Sequence, residues 1–185
     1  LAILDARANR GAISRRLAGA VAGAALAAAL GLATWEPLAA QVPALEREAE
    51  AALAEFDFDR ALARYRDMLV ETERRHSANS PELARLWVKI AAAAAPLDGR
   101  TAAQALERAA AIFADAGVDD PAYAEALYRL GVYTPRDRAG FYNRALEVAR
   151  RSGADAIAAR VLHNLAILDP AAAERHLREA IEIET

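Results

Sequence analysis

Ala124-Glu125-Ala126-Leu127-Tyr128-Arg129-Leu130-Gly131 is the stretch on which the fold turns. Leu127, Leu130 and Gly131 fall on one face of a helix, two large residues followed by a tiny one. The large pair fills a seam, and the tiny residue lets a neighbouring helix come close. The same order stands at Trp87-Val88-Lys89-Ile90-Ala91 and at Leu162-His163-Asn164-Leu165-Ala166. A second type of segment recurs as Ala61–Met68, Ala102–Ala109, Arg138–Ala145 and Ala173–Ala180, whose last positions are 41, 36 and 35 residues apart. A two-helix unit repeating at this period is the signature of a helical solenoid.

The punctuation agrees. Ser80-Pro81, Asp120-Pro121, Thr134-Pro135 and Asp169-Pro170 each place a capping side chain before a proline. The cap satisfies an orphan N–H, and proline suits the first helical position because no donor is needed there. Thr101 with Gln104 has the spacing of a capping box, and Gly117 and Gly153 stand where helices should stop. These signals predict helices over about 42–55, 59–76, 81–95, 101–116, 121–133, 135–151, 154–168 and 170–184.

The residues around Leu127 resemble the opening of a tetratricopeptide repeat, Trp-x2-Leu-Gly-x2-Tyr, then Ala-x3-Phe, then Pro. Trp87 and Ile90, then Ala102, Leu106 and Ala109, match in the second unit. Leu162, Leu165 and Ala166, then Ala173, Leu177 and Ala180, match in the fourth. In the first, Leu45, Ala49, Ala61 and Tyr65 fit and Glu48 does not. That first unit is long, with a polar turn at 76–79, and is similar to the kinesin-light-chain type of repeat. The resemblance covers residues 42–185 and implies an all-α, right-handed α-hairpin solenoid of about four such repeats. Units three and four depart from it. They have 14 residues between the tiny residue of the first helix and the last position of the second, against 19 and 18 in units one and two. The turns at Thr134-Pro135 and Asp169-Pro170 are therefore clipped.

Residues 1–40 read as an address separate from the repeat domain, 41–185. Arg7, Arg10, Arg15 and Arg16 precede an uncharged stretch at 17–35, and Leu38-Ala39-Ala40 offers a cut site after Ala40. Positive start, apolar middle and small residues form a secretory signal pattern. The alternatives are an uncleaved anchor, since about 20 residues span a bilayer, and a buried helix. Either export reading places the repeats outside the cytoplasm, in the periplasm of a bacterium, with membrane contact only through 17–35 if it is uncleaved. The chain opens on Leu1 instead of Met and ends in mid-pattern at Ile183-Glu184-Thr185. That ending leaves open a second reading, the docking or regulatory part of a larger membrane-tethered or multidomain enzyme.

The chain has 185 residues, 55% of them apolar and 52 of them Ala, with a net charge of −3 and a single lysine, Lys89. Alanine at this density favours helix. The absence of cysteine excludes a disulfide framework, a thiolate metal site, a thiol nucleophile and a lipoprotein anchor. The mild acidity gives no footing for nucleic-acid binding. His76, His163 and His176 are not at metal-ligand spacing, His76 is expected in solvent and His176 on the outer face of its helix. No phosphate loop or nucleophile elbow is present, so the expectation is a non-enzyme without catalytic residues, metal or cofactor.

What remains is binding. In the repeat family the first helices line a groove, and the flanking positions there hold Arg85, Val88 and Lys89, then Glu125, Tyr128 and Arg129, then Arg160, His163 and Asn164. Four cations face one carboxylate in an acidic chain. The resemblance therefore implies a protein or peptide partner, acidic or held by its terminal carboxylate, in a groove formed by Arg85, Lys89, Tyr128, Arg129, Arg160, His163 and Asn164. Arginine offers a planar fork for a carboxylate, and tyrosine a flat apolar face with a polar tip. The competing reading is a set of ordinary exposed helix residues in an arginine-biased chain.

Overall fold

The structure, a computed structural model, describes residues 38–184, with side chains over 42–183. The expected address at 1–40 lies outside the described residues apart from its last three. Among the described residues eight α-helices follow one another: α1 (Leu38–Ala54), α2 (Phe58–Arg75), α3 (Pro81–Ala94), α4 (Gly99–Ala116), α5 (Pro121–Tyr133), α6 (Arg138–Ser152), α7 (Asp155–Leu168) and α8 (Ala173–Glu184). The described residues form no strand. From α2 onward each helix packs on the next, most closely α3 on α4, α5 on α6, and α7 on α8. The first helices of these pairs, α3, α5 and α7, also touch one another, whereas α2 with α4 and α4 with α6 form no comparable contact. This is the architecture of an α-solenoid.

Helix starts follow the caps. The Ser80 hydroxyl accepts from Leu83 N at 3.2 Å, and Asp120 accepts from Ala122 N at 2.8 Å, each ahead of its proline. A cap of this kind is worth about 1 kcal/mol. Gly117 and Gly153 close α4 and α6 at φ 62° and 67°, left-handed values that glycine adopts without Cβ strain.

Three expected boundaries are corrected. Helix α4 is capped by Asp98 and not by Thr101: the Asp98 carboxylate accepts from the N–H groups of Arg100 and Thr101, and the Thr101 hydroxyl donates to it. A charged acceptor three positions before the expected box outcompetes a hydroxyl. Thr134 makes no side-chain cap, and Pro135–Asp137 is a 3₁₀ turn before α6. Asp169 accepts from Ala171 N and Ala172 N in a turn, and α8 starts only at Ala173. Both late starts lie in the clipped connections, where a tight turn reverses the chain in few residues.

The small–large seam is tightest between α5 and α6. A Cβ built on Gly131 would lie 2.5 and 2.6 Å from two ring atoms of Tyr142, so only glycine fits beneath that ring. The Gly131 carbonyl also accepts from Arg138 Nε at 3.1 Å. The buried core runs from Ala49 to Leu165 and is alanine-rich, with Tyr65, Phe113, Leu106, Leu127 and Leu162 as its largest enclosed side chains.

Candidate functional site

The predicted groove residues sit on α3, α5 and α7, the helices that touch along one side of the array. Arg85 and Lys89 come from α3, Tyr128 and Arg129 from α5, and Arg160, His163 and Asn164 from α7. Their charges are not free. Arg85 donates to Asp120 Oδ2 through Nε and Nη2, at 2.9 and 2.7 Å. Lys89 is bonded to Glu46 and lies 3.4 Å from Glu50, both on α1. Burial works against the Lys89 ammonium, but its bond to Glu46 and the surrounding negative charge outweigh this and hold its pKa above the ordinary 10.5. Arg129 and Arg160 share the two oxygens of Glu125. The expectation of four cations against one carboxylate is therefore corrected: Asp120, Glu46, Glu50 and Glu125 balance them.

At the far end the same side opens. Tyr128, Arg160, His163 and Asn164 converge with Leu177, Ala180 and Ile181 of α8 around a cleft of about 540 Å³. The Arg160 guanidinium lies 5.0 Å from the Tyr128 ring centroid, and that ring stacks on Tyr142 at 5.8 Å. Asn164 Nδ2 donates to the Arg160 carbonyl at 2.9 Å and to the Tyr128 hydroxyl at 3.4 Å. Its amide oxygen makes no hydrogen bond to the described residues, and the residue lines the cleft. Of the predicted residues, Arg85, Lys89 and Arg129 are not part of this cleft.

Position-for-position comparison explains why it is open. Leu177 and Ile181 occupy the places held by Tyr142 and Leu146 in the preceding pair and by Leu106 and Ala110 in the one before. Those four are 3%, 6%, 0% and 8% exposed, while Leu177 is 41% exposed and Ile181 62%. In the earlier pairs a further helix follows and packs on the second helix. The α8 residues are the part of the cleft that groove positions on first helices do not reveal.

Among the described residues no cluster of three or more His, Asp or Glu could hold a metal ion, and no helix is long and apolar enough to cross a membrane. His76 is exposed, as expected. His176 is not on the outer face: it is half-buried, with Nδ1 enclosed and unbonded.

The fold and the cleft together define, over the described residues, an all-helical, repeat-like array with a lined opening. No protein-family model matches the chain, and no curated protein is similar to it. Among solved structures, BtubC (BKLC) from P. vanneervenii is similar, with 25% identity and a TM-score of 0.65, over 92% of this chain and 72% of that one.

Proposed function

We propose that this chain is an exported protein-interaction module, a right-handed solenoid of four tetratricopeptide-like hairpins that receives a segment of a partner protein and turns nothing over. The observation that carries the reading is the cleft at α7 and α8. There Leu177 and Ile181 stand exposed at positions that are buried in the two preceding pairs. Covering them would contribute about 1–2 kcal/mol each. Tyr128 adds a flat apolar wall, and Asn164 adds an acceptor for a backbone N–H of the incoming segment. With Arg160 bonded to Glu125, apolar and backbone contacts carry the affinity, and an acidic side chain engages Arg160 only by competing with Glu125.

The test is affinity capture from the exported fraction, comparing the native chain with Leu177→Asp and Ile181→Asp. Both sites are exposed, so neither substitution disturbs the core. A partner held by the native chain and lost by both variants supports the reading. Retention of every captured protein by both variants overturns it. N-terminal sequencing of the recovered chain reports whether cleavage follows Ala40.

The same exposed pair supports a second reading, in which further helices of one longer polypeptide cover α8 and the repeats serve as the docking part of a larger enzyme.

A further inference from the structure

The other side of the array carries a second opening, independent of the groove. Helices α2 and α4 lie over α3 without packing directly on one another, and Trp87 of α3 stands half-buried in the gap. Around it Leu69, Val70 and Ile90 line a cavity of about 440 Å³. A neighbouring cavity of about 350 Å³ shares Trp87 and runs on to Ile112. The residues in Trp87's place in the next two pairs, Leu127 and Leu162, are completely buried. Trp87 alone of the three keeps an open side.

Two cations flank this trench. Arg66 projects from α2, and the Arg108 guanidinium of α4 lies 4.9 Å from the Trp87 ring centroid. Neither has a carboxylate partner among the described residues, whereas every candidate groove cation has one. A guanidinium stacked on an indole keeps its in-plane N–H donors free for a planar anion. Glu73 and Asp115 line the second cavity, which Arg108 lines as well.

We propose that this trench binds a short acidic–apolar segment, a large apolar side chain with a carboxylate residue beside it. The apolar side chain would lie against Trp87, Leu69 and Val70, and the carboxylate would take the donors of Arg66 and Arg108. Both halves are required: the apolar wall without an anion leaves two cations unmatched, and an anion alone is held only by exposed charges, which are worth little.

The experiment follows the Trp87 indole N–H by nuclear magnetic resonance in the full ¹⁵N-labelled chain, with Trp87→Phe assigning the signal against Trp35. The probes are end-blocked pentapeptides with Phe, Leu or Trp at the centre and Asp or Glu on both sides, against the same centres flanked by lysine. Acidic peptides should move the signal saturably and lysine peptides should not. Arg66→Glu and Arg108→Glu, both at exposed positions, should each weaken binding about fivefold or more and flatten its salt dependence. Ile181→Asp should leave it unchanged. The proposal falls if no acidic peptide shifts the signal at millimolar concentration, if lysine peptides act equally, or if the double charge reversal binds undiminished. It falls too if Ile181→Asp loses the peptide, because the peptide then sits in the groove.

Discussion

Replacing Gly131 by alanine tests the packing rule from which the fold was read. The new Cβ would meet two atoms of the Tyr142 ring at 2.5 and 2.6 Å and the Arg138 carbonyl at 3.3 Å. The ring has little room to retreat, since Tyr142 is buried and stacks on Tyr128 at 5.8 Å. Overpacking of this kind costs about 1–3 kcal/mol, and the better helix propensity of alanine returns at most about 1 kcal/mol. A net loss of about 1–2 kcal/mol is expected, lowering Tm by roughly 3–8 °C. The preceding pair shows the cure, because it carries Ala91 and Leu106 where this one carries Gly131 and Tyr142. The double variant Gly131→Ala, Tyr142→Leu should therefore be more stable than the sum of its single variants by about 1 kcal/mol or more. Urea unfolding followed by far-ultraviolet circular dichroism measures all four corners of that cycle. Additive corners, or a Gly131→Ala chain more stable than the native one, would refute the reasoning.

Asp120→Ala removes a buried group that both caps α5 and holds Arg85, and should cost about 2–3 kcal/mol; Asp120→Asn, which can still cap, should cost nearer 1, and equal losses in urea melts would contradict the dual role. Acid should destabilise the fold through Asp98 and Asp119. The Thr101 hydroxyl and neighbouring backbone N–H groups hold Asp98, and Arg151 holds Asp119, below the ordinary value of 3.8. A lowered folded pKa stabilises above the unfolded one and is lost as pH falls through the folded value. Tm should therefore drop mainly below about pH 4, and Asp119→Asn should shrink that drop; an unchanged drop in the variant would remove Asp119 from the account. Glu125→Gln should weaken the hold on Arg129 and Arg160 and raise capture of an acidic groove partner severalfold at low salt, as read by titration calorimetry; unchanged affinity would show that the partner makes no use of Arg160.

Where local chemistry decides, the helices were legible from sequence. The starts at Pro81 and Pro121 and the stops at Gly117 and Gly153 depend on residues within one turn of the boundary, and each stands where it was read. The Asp98 cap was missed because a plausible box lay just beyond it. The starts of α6 and α8 were missed because proline can open a tight turn as readily as a helix. The groove positions were found by helical spacing, but their electrostatics were not. Lys89 meets Glu46 across 43 positions of sequence, Arg85 meets Asp120 across 35, and Arg160 meets Glu125 across 35. Counting charges only at the flanking positions of α3, α5 and α7 leaves out Glu46, Glu50 and Asp120, and does not show that Glu125 takes both Arg129 and Arg160. Nor could the spacing that equates Trp87 with Leu127 show that the former keeps an open side while the latter is buried.

Lys89 is the single lysine of the chain and stands on the groove side with about a third of its side chain exposed. Amine-directed acylation therefore has one internal target, besides the chain's own α-amino group. Its bonds to Glu46 and Glu50 keep the amine charged, so labelling should be slow at neutral pH and accelerate in alkali. A ligand extending along the groove towards α1 would shield that amine, while one confined to the α7–α8 cleft or the Trp87 trench would leave it open. A mass-spectrometric footprint on one residue thus reports how far along the array an occupant reaches, without a cysteine having to be introduced or a competing lysine removed.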